Sequence, residues 1–312
     1  LMAGAVRGDI SLVKKSLAMK PDINNAILGT LPIVYASQGG SAEVFTTLIK
    51  NGADISLAPD LIYEVINSFS GDKDQGERVK FALLFIDNQA EGNWEKYNNI
   101  LHILASEQCV ENRGSGFIRD VMERALEKGA DPNYLDNAGR TPLHITSSGI
   151  HACYDLTLSL ISRGADPDIA DNSGRTPLRN AAMLPADKAD DFISLLNGSK
   201  SDINAADTMT GNTLLMDAAL NGNRMIVMIL VARGADDGIV NKSGKTALDL
   251  AKEKFEKTAE TDDKYGDYKY LAEKFLSDKN AVAECRSGIN EECKKYYKPV
   301  DVIKTDELAA PQ

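Results

Sequence analysis

Residues 129–146 read GADPNYLDNAGRTPLHIT, and residues 164–181 repeat the pattern as GADPDIADNSGRTPLRNA. Shorter versions follow, and the threonine of the second phrase recurs at intervals of 35, 37 and 33 residues. Self-similarity at a period of roughly 20 to 50 residues is typical of solenoids, in which each unit packs on its neighbours. The sequence therefore predicts a repeat array that binds other molecules along a continuous surface. The four threonines are Thr141, Thr176, Thr213 and Thr246.

Each residue type in the pattern favours a helix–turn–helix unit. A threonine hydroxyl can cap a helix, and a proline fits the first helical position, where no backbone donor is missed, as in Thr141-Pro142. The glycine of the Gly-Ala-Asp phrase suits the left-handed conformation that ends a helix, as at Gly129 and Gly164. The Asp-Asn-x-Gly segments between the two phrases are typical of tight turns. We expect each of these turns to project from the array, and we call it a finger.

These phrases resemble the ankyrin repeat, and the resemblance extends over residues 1 to about 280, most strongly in residues 129–250. It implies an all-α solenoid of about eight helix–turn–helix units with projecting fingers, which occupies residues 1–280. Units three and four, about residues 57–133, diverge from the pattern. Residues 281–312 depart from the family and are predicted to form a C-terminal extension and tail.

The charge of the chain restricts the class of partner. The 312 residues carry a formal net charge of −11 without a Lys/Arg-rich patch, so phosphate backbones are not attracted to the chain. We therefore expect no nucleic-acid partner and favour a protein partner, such as an enzyme with a basic or metal-containing cleft. No apolar run approaches the ~18 residues of a membrane-spanning helix. The chain alone is expected to be monomeric.

The sequence lacks the common catalytic and cofactor-binding motifs. It has no phosphate-binding glycine loop, no His-Glu-x-x-His, no Cys-x-x-Cys and no nucleophile elbow. We therefore predict that the protein is not an enzyme and holds no cofactor or metal. His144 stands at the fourth place of the Thr-Pro-Leu-His phrase, and His102 is its counterpart. The ankyrin resemblance assigns this imidazole a structural hydrogen bond to turn backbone; a metal or catalytic role is the alternative.

The fingers and the exposed side of the first helices are the predicted binding surface, because that face is continuous across units. The fourth finger carries Trp94, the single tryptophan, and Tyr97, residue types that are enriched at interface hot spots. In the alternative, Trp94 folds back and covers the divergent units. On the other fingers the candidate partner-binding residues are Asp136, Asn137, Arg140, Asp171, Arg175, Asn212, Lys242 and Lys245.

The four cysteines allow two disulfides. Cys285 and Cys293 enclose seven residues of a polar segment, where free thiols gain little from burial. Alignment of the two histidine-bearing phrases places Cys109 near Cys153 in adjacent units, and a bridge there needs Cα atoms within roughly 7 Å. Both bridges would indicate an oxidising compartment, such as a periplasm or the cell exterior. The alternative is four buried thiols in a cytoplasmic protein.

The leading functional hypothesis is a non-enzymatic protein-interaction scaffold that binds a partner protein on its fingers and occludes it, as an inhibitor does. If the disulfides form, the chain resembles bacterial periplasmic ankyrin proteins of the self-protection type, which implies a cell-envelope hydrolase as the partner. The alternative is a secreted effector or an intracellular adaptor that recruits a protein partner.

Overall fold

The computed structural model describes residues 1–58, 61, 75–88, 99–106, 115–148, 154–184 and 189–294. The chain divides into two compact units, Leu1–Tyr134 and Leu135–Gln312. In these described ranges the regular secondary structure is helical, and the one β-type pairing is the isolated bridge between Ile27 and Thr30. Four residues singled out in the sequence lie outside the described residues, and their roles stay predictions: Trp94, Tyr97, Cys109 and Cys153.

The unit Leu1–Tyr134 is built from short helices, with a 3-10 turn at Ile55–Leu57. Its helices are α1 Met2–Val6, α2 Ile10–Leu17, α3 Pro32–Gln38, α4 Ala42–Lys50, α5 Gln75–Asp87, α6 Ile100–Ser106 and α7 Ser115–Glu127. The first helix of a pair packs on the first helix of the next pair, as α1 does on α3. The second helices pack in the same way, as α2 does on α4 and α5 on α7. This is the nearest-neighbour packing of a repeat array.

The unit Leu135–Gln312 repeats the arrangement more regularly. Its helices are α8 Pro142–Thr146, α9 Tyr154–Ser162, α10 Pro177–Ala181, α11 Ala189–Gly198, α12 Leu214–Leu220, α13 Arg224–Ala232, α14 Ala247–Lys257, α15 Tyr265–Lys269, α16 Lys279–Arg286 and α17 Glu291–Lys294. A π-helical segment, Tyr270–Phe275, continues directly from α15. First helices contact first helices, as α8 contacts α10 and α12 contacts α14, while α9, α11, α13 and α16 form the row of second helices. None of the helices in the described ranges is both long and apolar enough to cross a bilayer.

Side-chain caps determine where the helices begin. In the first helices, the hydroxyl of Thr176 accepts a hydrogen bond from the N–H of Arg179 at 3.2 Å, and Thr246 caps Asp249 in the same way. Pro177 then occupies the first turn of α10 without loss of a backbone hydrogen bond. Each such cap stabilises its helix by about 1 kcal/mol. The threonines of the repeated phrase therefore set the period of the array.

The core of the second unit lies along α13. Its residues from Ile226 to Ala232 are all buried, and Ile229 and Leu230 have no exposed surface. The helix lies between α11 and α16, so apolar side chains on both flanks meet a neighbouring second helix. Truncation of one such side chain, as in Ile229→Ala, removes about 2–5 kcal/mol of stability.

The eighth repeat, which begins at Lys245, differs from the pattern of the other repeats. Helix α16 packs on α13 and completes the row of second helices, whereas α15 and the π-helical segment pack on α14 as an insertion within the unit. The carboxylate of Asp278 begins α16 by accepting the N–H of Asn280 and of Ala281. The predicted boundary between residues 280 and 281 therefore falls inside a helix, which packs on α13.

Candidate functional site

The fingers of Leu135–Gln312 adopt the same type of turn. In each finger the side chain of the first residue closes this turn. In the finger 136–140, the carboxylate of Asp136 accepts the N–H groups of Ala138 (2.8 Å) and Arg140 (2.9 Å). The N–H of Asp136 donates to the carbonyl of Arg140, and Gly139 takes a φ of +74°. The same bonds recur from Asp171 in finger 171–175 and from Asn241 in finger 241–245. Each finger is therefore closed by its own first residue and backbone, whichever side chains stand at its tip.

The aspartates that close the fingers stay ionised to low pH. In finger 207–212, partial burial alone would raise the pKa of Asp207. The hydroxyl and N–H of Thr210, with the N–H groups of Met209 and Asn212, outweigh this effect and lower the pKa to about 2. Asp136 and Asp171 also have a lowered pKa because backbone and side-chain donors outweigh their partial burial. These carboxylates accept the hydrogen bonds that close their own turns.

Neighbouring fingers are joined to each other by hydrogen bonds. The N–H of Asn172 donates to the carbonyl of Ala138 at 3.0 Å. The N–H of Lys242 likewise donates to the carbonyl of Thr210 at 3.0 Å. The fingers approach so closely that a Cβ on Gly139 would lie 2.4 Å from Oδ1 of Asn172. Fingers 136–140 and 171–175 thus form one rigid pair, and fingers 207–212 and 241–245 form another.

The fourth place of each Thr-Pro-Leu-x phrase ties one unit to the next. Nδ1 of His144 accepts the N–H of Thr141 at 2.9 Å, so the proton resides on Nε2, which donates to the carbonyl of Arg175 at 3.0 Å. Burial lowers the pKa of His144, which favours this neutral form. The counterpart His102 is buried and lies edge-on to Tyr134, with ring centroids 6.2 Å apart. No cluster of metal-binding side chains occurs within the described part of the chain.

Arg179 takes the place of the histidine in the next unit and anchors a polar network that the sequence did not suggest. Its guanidinium donates to the carbonyl of Asn212 (3.1 Å) and pairs with the carboxylate of Asp217. Both side chains of this ion pair are only 14% exposed. Burial raises the pKa of Asp217, and Arg179 and the amide of Asn212 oppose that shift. The amide of Asn212 also accepts a hydrogen bond from Asn241. The network therefore links three successive repeats, which contain Arg179, Asn212 and Asn241.

The predicted partner-binding residues fall into two groups. Asp136 and Asp171 close their turns, and Asn212 belongs to the polar network around Arg179. Asn212 is only 6% exposed. Arg140 pairs with Asp136, and the ammonium of Lys245 pairs with Glu253 on α14. Three other side chains are exposed at the fingers: Asn137, Arg175 and Lys242.

Met209 is an exposed finger residue that sequence reasoning missed. It stands at the tip of finger 207–212 with 76% of its surface exposed, and its neighbours Thr208 and Thr210 are exposed as well. The finger spans six residues, whereas the fingers closed by Asp136, Asp171 and Asn241 span five. The extra residue in an otherwise regular repeat is the signal that could have identified it.

A disulfide and a salt bridge hold the C-terminal end of the array. Cys285 and Cys293 are bonded, with Cα atoms 5.3 Å apart, and neither residue has exposed surface. The guanidinium of Arg224, in α13, lies 3.7 Å from the ring centre of Tyr270 and donates to Glu292 at 2.6 Å. These contacts fix α16 and α17 against α13.

Comparisons with known proteins agree with this architecture. Residues 202–251 match the family described as "Ankyrin repeats (many copies)", and residues 138–172 match "Ankyrin repeat". The chain is 31% identical over 252 residues to Rabankyrin-5 of Homo sapiens, an alignment that covers 72% of this chain and 21% of the relative. It is 32% identical over 154 residues to Rabankyrin-5 of Mus musculus, with 42% and 13% covered. The chain thus spans about a fifth of the human relative. These matches and the helical structure confirm the predicted all-α ankyrin solenoid.

Proposed function

We propose that this ankyrin-repeat solenoid is a non-enzymatic scaffold that binds a protein partner along its fingers and occludes the bound surface. Ankyrin repeats indicate a protein–protein interaction scaffold. The observation that carries the proposal is the pairing of fingers by backbone hydrogen bonds, from Asn172 to Ala138 and from Lys242 to Thr210.

Rigid fingers favour binding for an energetic reason. Association normally costs about 0.5–1.5 kcal/mol for each flexible side chain that is immobilised at an interface, and the ordering of loops adds to that cost. In the fingers closed by Asp136, Asp171 and Asn241 the backbone is already fixed by hydrogen bonds within each turn. A partner that contacts the finger tips would therefore not have to order the loops.

The chemistry of the described residues supports binding rather than catalysis. His144 and His102 are buried, and His144 uses both ring nitrogens in hydrogen bonds of the fold. The buried ion pair of Arg179 and Asp217 is hydrogen-bonded to the backbone carbonyl and the side-chain amide of Asn212. Ankyrin-repeat proteins are in general interaction modules. We therefore assign these groups to the fold.

The compartment that we propose is extracytoplasmic, a periplasm or the cell exterior. The buried bond between Cys285 and Cys293 supports this, because disulfides form and persist in oxidising compartments. In a periplasm the partner class that we favour is a cell-envelope hydrolase, whose inhibition would protect the producing cell. Mass spectrometry of the unreduced protein after alkylation provides the test: labelling of Cys285 and Cys293 would contradict this location.

An adaptor is the second candidate function. The chain aligns with about a fifth of a much longer relative, and as an adaptor it would recruit a protein partner rather than inhibit it. An adaptor leaves its partner active, whereas an occluding inhibitor does not.

Site-specific photo-crosslinking distinguishes these functions. A photoreactive residue would replace Ser173, at the tip of a finger, and in a matched control would replace Lys269, an exposed residue on α15. The scaffold proposal predicts a discrete crosslinked protein with the Ser173 probe and none with the Lys269 probe. Equal labelling from both positions would contradict binding at the fingers. A partner that keeps its full activity in the purified complex would contradict occlusion and favour the adaptor.

A further inference from the structure

The tips of the fingers in Leu135–Gln312 differ in charge from the chain as a whole. The net charge of −11 favours a basic partner at long range, but charges beyond about 8–10 Å are largely screened at physiological ionic strength. Contacts therefore depend on the charges exposed at the tips themselves. The aspartates of the fingers face inward: the side chain of Asp136 is 18% exposed and that of Asp207 is 14% exposed.

The exposed ionic groups at these fingers are basic. Arg175 and Lys242 are exposed, and the side chain of Arg140 is 49% exposed. Asp207 accepts hydrogen bonds from its own turn at both carboxylate oxygens, and Asp171 accepts them from its own turn at Oδ1. A partner that approaches the tips therefore meets guanidinium and ammonium groups before carboxylates.

Met209 is an exposed apolar side chain on the finger that lies between those of Arg175 and Lys242 in the sequence. Finger 207–212 adjoins finger 171–175, since a Cβ on Gly174 would lie 3.8 Å from Oγ1 of Thr208. It adjoins finger 241–245 through the hydrogen bonds that Lys242 donates to the carbonyls of Thr208 and Thr210. A flexible thioether side chain that is 76% exposed suits adaptable apolar contact.

We infer that Arg175, Met209 and Lys242 form a docking strip for an acidic segment of a protein partner that carries an apolar side chain. The carboxylates of the segment pair with Arg175 and Lys242, and its apolar side chain covers Met209. Arginine is well suited to this task because its guanidinium binds carboxylates through two parallel hydrogen bonds. A protein segment is favoured over a nucleic acid because two basic side chains supply few phosphate contacts, whereas a peptide offers carboxylates and an aliphatic side chain together.

This inference rests on the proposed scaffold function, and a displayed library of random dodecapeptides selected on the full chain tests both. We expect enriched peptides with two or more Asp or Glu residues and a Leu, Met or Phe. Arg175→Glu, Lys242→Glu and Met209→Ser should each weaken binding of these peptides by about tenfold or more, as expected at an interface hot spot.

Two variants away from the fingers serve as matched controls. Lys269→Glu makes the same charge change as Lys242→Glu on α15, and Ile289→Ser removes an apolar side chain that is 70% exposed. Both should leave peptide binding within about twofold of the wild type, and circular dichroism should report equal helicity for all variants.

The outcomes separate the two proposals. Peptides that bind but lack acidic residues, or that bind the Arg175→Glu and Met209→Ser variants unchanged, would overturn the docking strip and leave the scaffold function intact. Displacement of the selected peptides by heparin, with direct heparin binding that Lys242→Glu abolishes, would assign the strip to polyanions and overturn the inference. A library that yields no binder at all would contradict both.

Discussion

The finger 171–175 and the turn at residues 26–30 of the first unit occupy the same place in their repeats but are closed by different groups. Asp171 stands five residues before the capping Thr176, and its carboxylate accepts N–H groups of its own turn. Ala26 stands five residues before Leu31, which begins α3 without a side-chain cap. The turn there is closed by two backbone hydrogen bonds between Ile27 and Thr30.

This difference determines the conformation of the residue at the tip. In finger 171–175 the position with positive φ is Gly174 (+78°), for which this conformation carries no strain. In the turn at residues 26–30, Leu28 adopts a φ of +53°, which costs about 1–2 kcal/mol for a residue with a Cβ. Leu28 is also 95% exposed, so burial does not offset that strain. In finger 171–175 the positive φ thus falls on a glycine, whereas the turn at residues 26–30 imposes it on Leu28 as well as on Gly29.

Removal of the buried ion pair at the base of the regular fingers should have the largest effect. Asp217→Ala leaves the guanidinium of Arg179 buried without its carboxylate, and we expect a loss of about 3–5 kcal/mol in the free energy of unfolding. Urea denaturation measures this loss. The double variant Arg179→Met, Asp217→Leu should lose less, because neither Arg179 nor Asp217 is left buried without its partner. Arg140→Ala, which breaks an exposed pair, should cost under about 1 kcal/mol; a similar cost for Asp217→Ala would contradict the account.

The charge of Asp207 should make finger stability depend on pH. Its folded pKa of about 2 lies below the ordinary value of 3.8, so its stabilisation is present above pH 4 and is lost as pH falls toward 2. Asp207→Asn should therefore be about 2 kcal/mol less stable than the wild type at pH 7. The difference between the two proteins, measured by urea denaturation at several pH values, should vanish near pH 2. A difference that is constant with pH would show that the carboxylate charge has no part in it.

Loss of side-chain closure in a single finger should have a smaller effect. Asp171→Ala removes hydrogen bonds from the N–H groups of Ser173 and Arg175, and we expect about 1–2 kcal/mol of destabilisation in thermal or urea unfolding. Asn137→Ala, the control, truncates an exposed polar side chain of finger 136–140 and should change stability by less than about 0.5 kcal/mol. If Asp171→Ala matched this control, the closure would not depend on the carboxylate.

Relief of strain in the turn at residues 26–30 should give the smallest effect, with the opposite sign. Asparagine tolerates positive φ better than leucine, so Leu28→Asn should raise the melting temperature and stabilise the fold by about 0.5–1 kcal/mol. Leu57→Asn makes the same change at an exposed residue that does not have positive φ and should give no stabilisation. Equal effects at both positions would rule out strain as the cause.

Much of the fold could be predicted from the sequence because its signals are local. The Thr-Pro-Leu phrase contains its own cap, and the Asp-Asn-x-Gly segment contains the carboxylate and glycine that close its turn. The contact between Arg179 and Asp217 could not be predicted in this way, since the partners are 38 residues apart and meet only when two units stack. In the eighth unit the Gly-Ala-Asp phrase is absent, so the sequence did not indicate which of two helices packs on α13.

Amide hydrogen exchange of the free protein tests the central claim, that the fingers are preformed and joined, most directly. The decisive amides are those of Asn172 and Lys242, which donate from one finger to the next. We predict that both exchange at least about a hundredfold more slowly than in an unstructured peptide. The amide of Gly29, within the turn at residues 26–30, should exchange much faster than either. Exchange of Asn172 and Lys242 at the rate of an unstructured chain would contradict the account.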